Sequence, residues 1–235
     1  MDVRRLELPL TVQSLDVSAT GRLSTTCQDS ERTLAASDTV EFALPRRDDH
    51  FFYSSLASAD GARLYVTDAR DKRLVAVKDG REAWWVPSND QAGNLRTLVE
   101  TPEGNVFFSG ANFAKLLSSR GEVLFEAQSE RFQAHTGHCS LLGPDGSAYL
   151  GGIDGLEKLG GWFTRSPENH VISELAASST TLYAAAFGPQ LGLLLALDPA
   201  TGRELWRHPT GFNRAMTPAV MSDGRVLAAD QEGRL

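Results

Sequence analysis

The sequence predicts an all-β protein, a β-propeller of six four-stranded antiparallel blades, and three observations carry that reading. First, one kind of turn recurs: SADGARLYV (58–66), TPEGNVFFS (101–109), GPDGSAYLG (143–151) and MSDGRVLAA (221–229). Each sets an acid–Gly turn directly before alternating apolar residues, the mark of a tight β-hairpin. SATGRLSTT (18–26) and ASSTTLYAA (177–185) fill the remaining slots, so that Gly21, Gly61, Gly104, Gly146, Ser179 and Gly224 mark a unit about every 40 residues. Second, strand-like runs repeat in a fixed order within a unit, with no helical 3.6-residue periodicity of any length. Third, a lone sheet of this kind is apolar on both faces, and stacking six in a ring covers those faces and leaves only short edges. A β-sandwich or an up-and-down barrel needs no motif that returns at this interval.

The elements follow in order over a single domain, residues 1–235, with units at roughly 11–51, 52–92, 93–134, 135–171, 172–213 and 214–235. The second unit reads FYSSLASA, RLYVTD, RLVAVK and REAWWVP, with the loop ARDK and the turn DG between its later runs. The third reads RTLVET, NVFFSG, AKLLSS and EVLFEAQ, and the fifth ISELAAS, TLYAAAF, LLLALD and RELWRHP. The sixth stops at DGRVLAADQEGRL, where a third strand should begin. DVRRLELPL (2–10) has the pattern of a fourth strand, and pairing it into the last unit would close the ring and cover an open edge. The alternative, that the chain is an excerpt of a longer one, stays open at this point.

One stretch carries a resemblance. LALDPATGRELW (195–206) resembles the third and fourth strands of the repeat in PQQ-dehydrogenase-like propellers: an apolar pair, Asp, a TG turn, then a strand bearing Trp. DGARLYVTDARDKRLVAV (60–77) is nearer to NHL-type or YVTN-type blades. The likeness covers the chain as architecture and a single unit as a tight motif. It implies that Trp206 docks between adjacent blades, with Trp85, Phe125 and Trp162 in comparable fourth-strand positions. It does not imply PQQ: the quinoprotein dehydrogenases are eight-bladed and far longer, and their calcium site and tryptophan floor have no counterpart in this sequence.

Composition narrows the function. Net charge is −7, from 23 basic and 30 acidic residues, and such a surface repels a phosphate backbone, so nucleic acid is not an expected partner. Cys27 and Cys139 are far apart and fit a small buried hydrophobe better than a disulfide scaffold. The N-terminal MDVRRLELPLTVQS lacks the apolar core of a secretory signal, and no window reaches membrane-span length, which together suggest a cytoplasmic protein without membrane insertion. HTGHC (135–139) offers two imidazoles and a thiol, but no second cluster completes a zinc set. Nucleophile-elbow, phosphate-loop and HExxH motifs are missing from the sequence.

Two residue sets remain as candidate sites. Asp29, Asp68, Asn112, Asp154 and Asp230 fall at the ends of the second strands. Oxygen donors there suit a Ca²⁺ ion, as in six-bladed lactonases, yet Asp and Asn equally cap tight turns by accepting backbone N–H bonds. Capping, with no cofactor, is the preferred reading. The loops entering the first strands carry His50, Asn94, Arg96, His135, His138, His170, Asn213 and Arg214, a polar rim suited to an anion or polar ligand. Phe51, Phe52, Phe132 and Phe212 lie beside them as possible anchors. The expected function is a non-catalytic binding or scaffold module presenting this rim to a protein or peptide. The alternatives are a Ca-dependent hydrolase or lactonase, and a sensor or assembly domain of a larger protein.

Overall fold

The structure, a computed structural model, describes residues 11–17, 23–28, 32–37, 41–45, 55–68, 71–88, 97–132, 137–210, 217–221 and 223–228; in the first four stretches the side chains described are Ser24 and Ser37. All regular elements among these residues are strands. No helix among them is long and apolar enough to cross a membrane. The closing segment 2–10 lies outside the described residues.

The strands come in fours, each sheet taking them in chain order. Sheet one holds β1 (Thr11–Val17), β2 (Leu23–Gln28), β3 (Arg32–Ser37) and β4 (Glu41–Pro45). Sheet two holds β5 (Ser55–Ala57), β6 (Leu64–Asp68), β7 (Arg73–Lys78) and β8 (Arg81–Pro87). Sheet three holds β9 (Thr97–Glu100), β10 (Val106–Ser109), β11 (Phe113–Leu117) and β12 (Val123–Gln128). Sheet four holds β13 (Gly137–Leu142), β14 (Ala148–Gly152), β15 (Gly155–Lys158) and β16 (Phe163–Arg165). Sheet five holds β17 (Val171–Ala177), β18 (Leu182–Phe187), β19 (Leu193–Leu197) and β20 (Glu204–Pro209). The sixth, β21 (Ala219–Val220) with β22 (Val226–Leu227), has two described strands. The chain divides into two compact units, residues 1–108 with 116–124 and residues 109–115 with 125–235.

The repeated turn has one physical cause in most of its copies. In TPEGN the Gly104 N–H bonds the Thr101 carbonyl and the Thr101 N–H bonds the Asn105 carbonyl, a type I turn closed by a left-handed residue. Gly61, Gly104, Gly146 and Gly224 have φ of 69°, 77°, 75° and 84°, a region that a Cβ disfavours. The fifth copy is shorter, with the Ser178 N–H bonded to the Thr181 carbonyl, and it manages without a glycine. A bulge at the start of the first strand also recurs, between Val12 and Ser14, Gly137 and Cys139, and Ile172 and Glu174.

Burial runs across each sheet. The second strands LYVTD, VFFS and AYLGG are buried at every residue, whereas the fourth strands REAWWVP, VLFEAQ and ELWRHP are mostly exposed. Continuous apolar runs in the second and third strands therefore reflect cover on both faces. In the first unit, Leu64, Tyr65, Val66, Leu74, Val75, Ala76 and Val77 are fully buried, and the Ser24 hydroxyl donates to the Ser55 carbonyl of the next sheet at 2.8 Å. In the second, Cys139, Tyr149 and Leu156 of sheet four pack with Ile172, Leu175, Leu182, Ala184 and Leu195 of sheet five. Cys139 is buried there with its thiol 3.7 Å from the Ile172 carbonyl, and it packs as the small hydrophobe that its isolation in the sequence suggested.

Candidate functional site

Neighbouring sheets are latched by an aromatic row. Register aligns Tyr65, Ala76 and Trp84 across sheet two, and Tyr149 with Lys158 across sheet four, where Lys158 in turn bonds Trp162 through its N–H. The Tyr and Trp ring centroids are 6.0 and 5.9 Å apart in the two rows. Each Trp then reaches the outer turn of the following sheet. The Trp84 indole donates to the Ser119 carbonyl at 3.1 Å, and its ring fills the space that a Cβ on Gly121 would need, 2.7 Å from Cδ2. The Trp162 indole donates to the Pro199 carbonyl at 3.0 Å and lies against Gly202 in the same way. PATG, part of the stretch that carries the family resemblance, is thus the seat of the preceding sheet's tryptophan.

This geometry corrects the wedge positions implied by the resemblance. Trp162 is a wedge, but in sheet two the wedge is Trp84, and Trp85 is 55% exposed on the other face with the Arg73 guanidinium 6.0 Å from its ring centroid. Successive residues on a strand face opposite ways, so only register separates the two tryptophans. Phe125 is exposed as well. Trp206 is 43% exposed, and its described ring contact is Tyr183 of its own sheet.

Around Pro199 the polar groups converge. Tyr149 OH and Lys158 Nζ each lie 3.4 Å from its carbonyl oxygen, and Lys158 also bonds Asp145 at 3.1 Å. Burial works against the Lys158 ammonium, yet its bond to Asp145 and the nearby Tyr149 hold its pKa above the usual lysine value. Burial likewise opposes ionisation of Asp145, but the Ser147 hydroxyl and N–H, with Lys158, keep its carboxyl below the ordinary range. These are structural clamps, and no spacing in the sequence announces them.

Of the oxygen-donor set, Asp29 and Asp230 lie outside the described residues. Asp68 closes β6, is buried, and accepts from the Asp71 N–H and from Arg73 Nε, both at 3.2 Å. Asn112 and Asp154 stand at the equivalent turns, where their main-chain carbonyls accept the Ser129 and Ser166 N–H groups. Asn112 Oδ1 is buried without a hydrogen bond. Among the described residues no three His, Cys, Asp or Glu side chains gather as a metal site would require.

Of the rim set, His50, Asn94, Arg96, His135, Asn213 and Arg214 lie outside the described residues, as do Phe51, Phe52 and Phe212. His138 is half-buried, edge-on to Phe187 with centroids 6.5 Å apart. His170 is pinned: Nδ1 is 2.8 Å from the Glu168 carbonyl and Nε2 3.0 Å from the Leu191 carbonyl. Phe132 is buried, contrary to a role as an exposed anchor. Ser129 caps its turn by accepting the Phe132 N–H at 2.9 Å, and the ring packs edge-on to Phe163 with centroids 6.3 Å apart.

Most of the described large apolar side chains in water sit instead on the outer strands. Six of those described are Trp85 on β8, Val123, Leu124 and Phe125 on β12, and Leu205 and Trp206 on β20, while Ile153, Leu191, Met221 and Leu227 are exposed elsewhere.

Comparison with solved structures settles the fold. Streptogramin B lyase matches over 95% of this chain and 84% of its own, with TM-score 0.63 and 12% identity. The WD40 β-propeller domain of Doa1 matches over 94% and 76%, with TM-score 0.62 and 12% identity. Hydrazine synthase of Kuenenia stuttgartiensis matches over 97% and 76%, with TM-score 0.62 and 14% identity. The chain has a β-propeller fold. No family description and no curated protein sequence matches it. At these identities the likeness is one of fold, in keeping with the PQQ-like and NHL-like repeat resemblance.

Proposed function

We propose that this propeller is a non-catalytic binding module for a protein or peptide, presenting its outer strands together with the polar rim loops. One observation carries the reading: the outer strands expose large apolar residues, with Trp85 at 55% and Leu124 at 53%. Exposed aromatic and aliphatic groups on a strand edge suit recognition through main-chain pairing with side-chain anchors. Two of the described polar candidates for catalysis are engaged in the fold. Asp68 is ion-paired with Arg73, and both His170 nitrogens face main-chain carbonyls.

Selection from a displayed random-peptide library tests this. Enriched peptides should bind the protein with micromolar Kd and lose roughly tenfold or more on Trp85→Ser or Leu124→Ser, the range of an interface anchor. Failure to enrich, or binding indifferent to both substitutions, refutes the module. A rise in Tm with millimolar calcium, reversed by EDTA, would favour the hydrolase reading instead, since a ligand of the folded state stabilises it.

A further inference from the structure

His170 stands where two loops of sheet five meet, and both of its ring nitrogens point at main-chain oxygens. Nδ1 is 2.8 Å from the Glu168 carbonyl in its own turn, and Nε2 is 3.0 Å from the Leu191 carbonyl in the loop between β18 and β19. A carbonyl oxygen can only accept. A neutral imidazole carries one N–H and one lone pair, so in that form one of the two contacts sets lone pair against lone pair. An imidazolium carries two N–H groups and satisfies both. The geometry is complete for one protonation state of the ring and defective for the other.

The surroundings hold the ring in that position. A Cβ on Gly188 would lie 2.6 Å from Nε2 and 2.7 Å from Cδ2, so the imidazole fills the place where a side chain would stand. The turn that carries it closes with the His170 N–H on the Pro167 carbonyl at 3.0 Å. Asn169 in that turn sits at φ 59°, a left-handed conformation that costs a residue with a Cβ. The loop that the ring reaches presents Leu191, 47% exposed. The titratable and charged groups on the described segments around it are Arg165, Glu168 and Asp154, whose carbonyl accepts the Ser166 N–H, together with His138, edge-on to Phe187. Residues 188–192, GPQLG, carry none.

We propose that His170 is a proton-operated clasp. With a proton on each nitrogen it ties the turn 167–170 to the loop 188–192. With one proton lost, one tie is released, the left-handed turn loses its brace, and the loop that carries Leu191 loosens. A tie made by the charged form is present in acid and lost as pH rises, over the range of about pH 5–8 in which histidine changes charge. The sign follows from the partners: two acceptors favour the cation, whereas one donor and one acceptor would favour the neutral ring. The clasp stands apart from the binding-module reading, whose anchors Trp85 and Leu124 lie on other sheets.

Amide exchange and imidazole NMR of the intact protein test this. From about pH 5.5 to about pH 8, protection of the Gly188, Gln190, Leu191 and Gly192 amides, corrected for intrinsic exchange, should fall about threefold or more. At the acid end both ring N–H protons of His170 should be visible, because each is held by an oxygen, whereas those of a free imidazolium exchange with water too fast. His170→Gln should flatten the pH response and keep the circular dichroism spectrum, since the side chain is only half-buried. Gly188→Ala retains the imidazole but takes its space, and should flatten the response as well. A response that survives either substitution belongs to another group and overturns the proposal. So does a loop equally protected at both ends of the range in the unaltered protein.

Discussion

The latch from sheet two to sheet three and the latch from sheet four to sheet five share a ring, a glycine and an indole bond to a main-chain carbonyl, and differ in their other polar groups. In the first, a single indole N–H serves the Ser119 carbonyl, the residue beside Tyr65 in the row is Ala76, and the buried Tyr65 hydroxyl makes no hydrogen bond of good geometry. Burial, with Glu100 nearby, pushes that hydroxyl up to about 12. In the second, Lys158 replaces the alanine, and the Pro199 carbonyl is approached by Trp162, Tyr149 and Lys158 together. Thr164 adds a bond to the Gly202 carbonyl at 2.6 Å. The constant part is therefore packing of a flat ring on a residue without a side chain. The indole bond to a carbonyl accompanies it in both, and the further hydrogen bonds are an optional reinforcement.

Three pairs of substitutions sharpen that contrast. The largest effect belongs to the ring. Trp162→Ala should cost about 3–5 kcal/mol, as for other packed aromatics, read from the urea midpoint at constant m. Trp206→Ala should cost only about 1–2 kcal/mol, because its ring is half in water already. Equal losses would show that Trp206 is seated in solution.

The seat comes next. Gly202→Ala combines left-handed strain with a Cβ placed 2.3 Å from Trp162 Cε3, and should cost about 3 kcal/mol. Gly146→Ala has the same backbone sign but nothing within 4 Å, and should cost about 1–2 kcal/mol. If the two match in chemical denaturation, the close approach contributes nothing and the glycine is kept for its φ alone.

The hydroxyls give the smallest difference. Tyr149→Phe removes a bond to Pro199 and should cost about 0.5–1 kcal/mol. Tyr65→Phe removes a hydroxyl that has no good acceptor and should be neutral or slightly stabilising, since an unmade bond costs more than a missing group. A larger loss for Tyr65→Phe would mean that the first latch has a polar partner after all.

The architecture was legible because its signals are local. A left-handed position calls for Gly, so Gly61, Gly104, Gly146 and Gly224 kept the period visible, and the four-strand order followed from alternation between turns. The fifth turn, tighter and without glycine, was recoverable only by spacing. What failed depends on register and neighbours. WW at 84–85 does not say which ring faces the next sheet, because a bulge between Ala76 and Val77 shifts the pairing just there. Phe132 looked like a loop aromatic, and only its burial against Phe163 shows it to be core. His170 read as a rim ligand because nothing in ENHV reveals that the Leu191 carbonyl, distant in sequence, will meet its second nitrogen.

The reach of these latches has a consequence for synthesis. Trp84 finds Ser119 35 residues on, and Trp162 finds Pro199 37 residues on. Each grip can thus close on the ribosome as soon as the next outer turn emerges, well before distant parts of the polypeptide exist. That reach permits docking from front to back, with the aromatic already made waiting for the glycine still to come.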